Sequence, residues 1–417
     1  NEFVNVIKEN KLPFISSMIV YLIYFIALFP AIFTNYGGYI VMSSSNWQDT
    51  AMHSGIIESI SQGNFPPQAP YFSGVPLNYY YFTDFHSSII ETLYGNFFPR
   101  ILVYDNPFFA SIFFLAVYAL SYEITKNKNV SIFSSFMATF YGSFFYIHFI
   151  DDVLKSEVLN KFIVAFELLR NNSYTLEFGK FFQISPMSDY FLQNRPMMVG
   201  LPAVVIVFAL ISYLYKEKKY HWMILPGLIT AMLLKFQFFA FMVSFLLFGV
   251  ITVFNINKKN IKDMIRSFSV FVILPVLFLL YFSSASRINN QSLIKVVTEN
   301  FKFLPWEENK NIIWYIKFLI ANLGMPFVTT VILFPVLVIL KKINKTNLLK
   351  MGPIVFITLF LLTIPLVCTF TIMKYDMLKF YYFTEIFLSI ICFSIVFKLF
   401  KNRFWYFILS LMIIFLT

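Results

Sequence analysis

Charged side chains are scarce in this chain. Only 13% of its 417 residues are Asp, Glu, Lys or Arg, while hydrophobic residues make up 59%. A water-soluble domain carries about 25% charge, so a soluble globular class is excluded and lipid is the main solvent. Cysteine is nearly absent. Cys368 and Cys392 lie in apolar stretches without metal-type spacing, which excludes a disulfide framework and a zinc site. Glycine is also rare, with 13 residues and neither GxGxxG nor GxxxxGK[ST], so no nucleotide-phosphate loop is recognisable. GxSxG and HExxH are missing too, which removes the familiar hydrolase and zinc-protease signatures. Between Lys11 and Arg100 there is no Lys or Arg at all.

Long apolar runs are what the chain does have. Phe14–Phe33 is uncharged and long enough to cross ~30 Å of hydrocarbon as a helix. It is too long for a signal-peptide core and is not followed by a small-residue cleavage site. The basic residues gather in short loops, at Lys126/Lys128, Lys216/Lys218/Lys219, Lys258–Arg266, Lys341–Lys345 and Lys398–Arg403. That is the pattern of the positive-inside rule. It accounts for the net charge of +11 without a nucleic-acid partner, and the bilayer is the partner it implies.

Placing the basic loops inside predicts an all-α, polytopic integral membrane protein of about eleven transmembrane helices. Residues 1–13 form a cytosolic N-terminus. External loops are expected at 34–106, 151–195 and 284–311, the first being the largest. The expected spans are Phe14–Phe33, Pro107–Tyr122, Val130–Ile150, Pro196–Tyr215, Trp222–Leu234, Phe236–Phe254, Ser267–Ser283, Ile312–Leu340, Gly352–Thr371, Tyr381–Phe397 and one from Phe404 onward. A break is expected near Gly324-Met325-Pro326. Tyr79–Phe98 is apolar but carries Asp84, His86 and Glu91; burying these in lipid costs several kcal/mol, so it reads as a half-buried helix at the external face. The chain starts at Asn1 and stops at Thr417 within an apolar run, which reads as a fragment truncated at its C-terminus.

Polar chemistry concentrates where external loops are expected. In "WQDTAMHSGIIES", Asp49 and His53 are four apart and share a helix face; the bland alternative is that Asp49 caps the helix and His53 is solvated. The proline-rich "QGNFPPQAPYFSGVP" after it reads as a folded loop. In "YIHFIDDVLK", His148 stands at helical spacing from Asp151 and Asp152, and acids at a helix C-terminus need some other reason to exist. Such a pair can hold a divalent cation or accept hydrogen bonds from sugar hydroxyls. Lys235, inside "GLITAMLLKFQFFAF", either snorkels to an interface or meets an anion. Lys374, Lys379 and Arg195 are expected at the same level. Tyr79, Tyr80 and Tyr81 can anchor at the interface or stack on sugar rings.

These stretches resemble the GT-C superfamily of membrane glycosyltransferases, which use sugars linked to polyprenyl phosphate or diphosphate. The resemblance lies in Asp49 after the first span, "GVPLNYYYF" in the long loop, "NPFFASIFFLAVYALSYEITKNKN" as second span and basic turn, Asp151/Asp152, and "GLITAMLLKF" as a lysine hairpin. A nearer likeness is to uncharacterised membrane proteins named for a YYY signature, through "PLNYYYF" and the later "KFYY". The likeness covers residues 10 to 255, with only the short late motif beyond. The proline-rich stretch lacks the lysine of aminoarabinose transferases, and Lys235 is followed by Phe-Gln rather than Gly-Pro.

The resemblance implies a glycosyltransferase in the plasma membrane with its active site on the extracytoplasmic side. A polyprenyl-phosphate sugar is the expected donor and a glycan, lipid or protein the acceptor. Asp49 is expected as general base with inversion, assisted by His53. Lys235, Lys379, Arg195 and Lys374 are expected on the donor phosphate, and Tyr79–Tyr81, Asp84 and His86 around the sugar or acceptor. Asp151 and Asp152 are expected to bind the acceptor or a divalent cation (Mg or Mn); no cofactor is otherwise implied. The alternatives are a flippase or transporter of a lipid-linked saccharide, and a non-catalytic scaffold or receptor.

Overall fold

The computed structural model describes residues 10–32, 34–36, 39–41, 47–95 apart from 73, 76 and 78, 101–142, 146–171 apart from 159, 177–178, 181–182, 191, 196–256, 260–285, 301–303, 312–339, 345–371, 374–400 and 403–415. Hydrocarbon offers backbone groups no partner, so apolar segments satisfy them internally as helix. The described residues are accordingly helical almost throughout. The helices are α1 (Lys11–Ile32), α2 (Trp47–Ser61), α3 (Phe82–Tyr94), α4 (Ile101–Thr125), α5 (Lys128–Thr139), α6 (Tyr146–Lys155), α7 (Lys161–Asn171) and α8 (Met197–Lys216). They continue as α9 (Ile224–Phe236), α10 (Phe238–Asn255), α11 (Ile261–Ala285), α12 (Ile312–Ile339), α13 (Lys345–Val367), α14 (Lys379–Leu399) and α15 (Arg403–Phe415). Among the described residues, extended structure is confined to three antiparallel two-stranded ribbons of two or three residues per strand.

Among the described residues, 7 helices are long and apolar enough to cross a membrane, and Tyr220–Phe236 and Met351–Val367 are shorter apolar helices. Apolar side chains such as Ile15, Ile26, Ile265, Leu277 and Leu280 point away from the protein, as a lipid-facing surface requires. One helix does the reverse. In the Asp376–Leu399 segment 94% of the apolar window is buried, and α14 is enclosed by α5, α12 and α13. It forms the middle of the bundle. A second layer is built from α4, which packs against α1, α5 and α8.

The expected break in the eighth span is present. Within α12, Gly324 has φ 50° and ψ −151°, a conformation open to glycine because no Cβ meets the backbone. The Leu323 carbonyl next to it accepts a hydrogen bond from Tyr141 Oη at 2.7 Å, so a polar group beside the break is satisfied inside the bundle.

The third expected span differs. Helix α5 ends at Thr139, Tyr141 and Gly142 are not helical, and α6 starts anew at Tyr146. The terminal carbonyl of Thr139 is taken by the buried Tyr24 hydroxyl at 2.8 Å, which supplies the partner an exposed helix end in lipid would lack. Asp151 and Asp152 therefore belong to a separate short helix and not to the end of the span.

Helix α3 resolves the ambiguous acidic segment. Its 13 residues reach about 20 Å, short of the hydrocarbon thickness. Thr83, Asp84, Ser87, Ser88 and Glu91 are buried, while Ile89, Leu93 and Tyr94 are exposed. The polar face is turned into the protein and the apolar face away from it.

Candidate active site

Helix α3 packs on α2, and the polar face of α3 meets His53. His53 Nδ1 lies 2.9 Å from both carboxylate oxygens of Asp84. The side chains are 1% and 0% exposed. With the Nδ1 proton donated to the carboxylate, Nε2 is left as an acceptor; it is buried and has no hydrogen-bond partner in the structure. Burial raises the Asp84 pKa, and the charge of His53 and its hydrogen bond pull it back down. The net direction is upward.

Asp49 shares α2 with His53 one turn earlier, and its side chain lies outside the described residues. The spacing suggested that His53 serves Asp49; the structure instead commits His53 to Asp84, 31 residues away. His86 likewise pairs beyond its own segment. Its Nδ1 is 3.2 Å from Asp105 Oδ2, and Ser87 Oγ donates to the same oxygen at 3.1 Å. The Asp105 carboxylate holds the His86 pKa above its usual value, against the effect of burial.

The three tyrosines bridge this acidic floor to the hairpin of α9 and α10. The ring of Tyr79 lies 5.8 Å from His53 and 4.9 Å from Tyr80. Lys235 Nζ stands over the Tyr81 ring, 5.8 Å from its centroid. Phe82 packs edge-on against Phe236 at 5.4 Å. The hairpin turns on the single residue Gln237, in extended conformation, whose Oε1 accepts from Phe239 N at 3.4 Å.

On the other side of this turn, Lys379 at the start of α14 lies over Phe239, 5.4 Å from its centroid. Its ammonium donates to Asp376 Oδ1 at 2.7 Å. Asp376 also acts on Tyr80, whose hydroxyl pKa is pushed up to about 12, mainly by burial and then by that carboxylate. Two cations thus flank the hairpin tip, Lys235 over Tyr81 toward α3 and Lys379 over Phe239 toward α14.

The remaining expected residues fall elsewhere. Asp151 accepts from Lys155 at 2.5 Å in an exposed pair, and Asp152 is exposed on the same helix. The side chains of His148, Arg195 and Lys374 lie outside the described residues. Asp105 and Asp376 were missed. Asp105 lies within α4, and an ionisable group inside an apolar helix is a site signal. Starting the span at Pro107 had left it out. Among the described residues no three His, Cys, Asp or Glu side chains converge to hold a metal ion.

No protein-family model matches the sequence, and no curated protein matches it. Solved structures do resemble the fold. The apo oligosaccharyltransferase of Archaeoglobus fulgidus matches with a TM-score of 0.56 at 10% identity, covering 96% of this chain and 54% of that one. A second structure, the oligosaccharyltransferase AglB of the same organism with an inhibitory peptide and a dolichol-phosphate, has a TM-score of 0.43 at 12% identity, with 97% and 54% coverage. This chain spans about half the length of those proteins. The fold is that of an all-α chain with several helices long and apolar enough to cross a membrane, and it is similar to the fold of an archaeal oligosaccharyltransferase.

Proposed function

We propose that the chain is a membrane glycosyltransferase that moves a sugar from a polyprenyl-phosphate-linked donor to an acceptor hydroxyl at the external membrane face. The observation that supports this most is the pair of lysines at the α9–α10 tip. Lys235 and Lys379 stand over aromatic rings beside the buried His53–Asp84 pair. A lipid-borne phosphate needs cations at membrane level, and aromatic faces suit a sugar. The GT-C fold supports the same reading. Within that superfamily the "PLNYYYF" and "KFYY" stretches favour the YYY-signature proteins.

The reaction then runs as an inverting displacement. The acceptor oxygen attacks the anomeric carbon while Asp49 takes its proton. The anomeric C–O bond breaks with its electron pair passing to the phosphate oxygen. That leaving group is anionic, so it needs cations rather than a general acid, and Lys235 and Lys379 supply them, with Arg195 and Lys374 as further candidates. His53 and Asp84 fix the floor of the site, and Tyr79–Tyr81 shape the sugar pocket. No step is routed through a metal ion.

The test is sugar transfer in proteoliposomes loaded with labelled polyprenyl-phosphate sugars. Asp49→Asn removes basicity at near-constant size, so turnover should fall roughly 10²–10⁴-fold. Undiminished transfer would end the role of Asp49.

One observation favours a flippase instead. The break at Gly324 lies next to the fully buried Asn322, and the fully buried Glu385 of α14 acts electrostatically on Tyr141, which bonds to that break. Transporters place polar groups at broken helices. Glu385→Gln tests this reading: lipid-saccharide translocation by the parent chain without sugar transfer, lost in the variant, supports the flippase, and sugar transfer by the parent refutes it.

A further inference from the structure

At the end of the bundle where the basic loops lie, α4, α8, α10 and α13 converge on a cleft of about 590 Å³, within the range of roughly 300–1,000 Å³ typical of small-molecule sites. Its walls are apolar, with Phe208, Ile251 and Phe254 among them. Its rim is charged. Lys126 and Lys216 lie there with Glu123 between them, and each ammonium contacts that carboxylate, at 2.5 and 2.9 Å. The wall hydroxyl of Tyr215 is already engaged by Thr252 at 2.6 Å and Ser267 at 3.0 Å, and the cationic groups of the lining are the two lysines.

We infer that this cleft binds a glycerophospholipid with an anionic headgroup, its phosphate at Lys126 and Lys216 and an acyl chain against Phe208, Ile251 and Phe254. Three features argue for that occupant. Two cations face one anion, so the rim carries a net positive charge. An ammonium has three N–H donors and Glu123 uses one on each lysine, leaving the rest for phosphate oxygens. Both lysine side chains are about half exposed (50% and 53%), which puts them at headgroup level above an apolar recess. A basic pocket between helix ends is the arrangement that recognises acidic lipid. Lys126 also has φ 53°, a left-handed turn conformation where glycine would be less strained.

The test uses the whole chain purified in a neutral detergent. It is titrated with short-chain phosphatidylglycerol, phosphatidylcholine of the same chains, or inorganic phosphate, and binding is read by native mass spectrometry and thermal unfolding. Phosphatidylglycerol should bind at least tenfold tighter than phosphatidylcholine. Each lysine should contribute about fivefold, so Lys126→Gln with Lys216→Gln should weaken phosphatidylglycerol about twenty-five-fold and phosphatidylcholine, whose choline offsets its phosphate charge, by much less. The paired Arg variants should retain the preference, and Ser212→Phe, which fills the recess, should weaken both lipids. If the paired Gln variant does not fold, Lys216→Gln alone and Ser212→Phe carry the test. Equal binding of the two lipids would overturn the inference. So would a folded Gln variant with undiminished phosphatidylglycerol affinity, or inorganic phosphate displacing the lipid at its own concentration.

Discussion

Replacing Asp84 by Leu removes the carboxylate that, among the described residues, pairs with His53. The imidazole would then have neither nitrogen satisfied, since Nε2 already lacks a partner and the side chain is 1% exposed. Leaving a buried neutral imidazole without its partner costs about 1–3 kcal/mol, because the polar group stays desolvated. Against the ~5–15 kcal/mol that separates folded from unfolded states, that loss should lower the thermal unfolding midpoint in detergent visibly. Asp84→Asn should cost less, about 1–2 kcal/mol, because the amide oxygen still accepts from Nδ1 while the charge-assisted part is gone. The informative variant is His53→Leu with Asp84→Leu. Removing both partners together is nearly neutral when the volume is filled, so the double variant should recover most of the stability lost by Asp84→Leu. Sugar transfer should not recover, because the polar floor is absent. Two results would refute this reasoning: Asp84→Leu as stable as the parent, or near-normal transfer by the double variant. The first removes the pair as a stabilising contact, and the second leaves it purely structural.

Lys235→Met should weaken a polyprenyl-phosphate donor analogue roughly ten- to a hundredfold, the equivalent of one charge-assisted contact of about 1.5–3 kcal/mol; unchanged affinity with altered stability would mean that Lys235 only reaches for water. Gly227→Ala should impair folding, since a Cβ there would meet the Phe271 backbone oxygen of α11 at 2.4 Å, and overpacking of this kind costs about 1–3 kcal/mol; yield and unfolding midpoint check it. The His86–Asp105 contact should make stability depend on pH. The folded pKa of His86 is raised, so its contribution is complete below about 6.5 and is lost as pH rises through the raised value. Unfolding midpoints measured from pH 5.5 to 8.5 should fall over that window, and His86→Gln should flatten the slope.

The class of the molecule could be read from the sequence because it depends on composition and local pattern. Uninterrupted apolar runs become helices in lipid whatever surrounds them, and Gly324-Met325-Pro326 announces its own break. The acids of Tyr79–Phe98 likewise argue locally against a crossing. Partnerships could not be read this way. His53 lies four residues from Asp49 on one helix face, yet it bonds Asp84, across a proline-rich loop whose path no periodicity encodes. His86 reaches Asp105, on an apolar helix where an acid was not sought. The early end of the third helix depends on a hydroxyl of Tyr24, 115 residues distant, and nothing between Phe140 and Tyr146 except one glycine hints at it. Asp376 stands in the "KYDMLKFYY" run, but its influence on Tyr80 arises only because two remote loops meet.

Helix α14 lies almost wholly inside the bundle, and it comes late in the chain. During synthesis α5, α12 and α13 are made before it, so the helices around it enter the lipid before their central member exists. Until then α5, α12 and α13 surround a gap that lipid or each other must fill. Closure of the bundle consequently waits for α14. Lys379 arrives with it, so the second cation at the hairpin tip comes into place only when that helix docks. A chain ending before Lys379 should therefore present α5, α12 and α13 as an open ring around an unfilled centre.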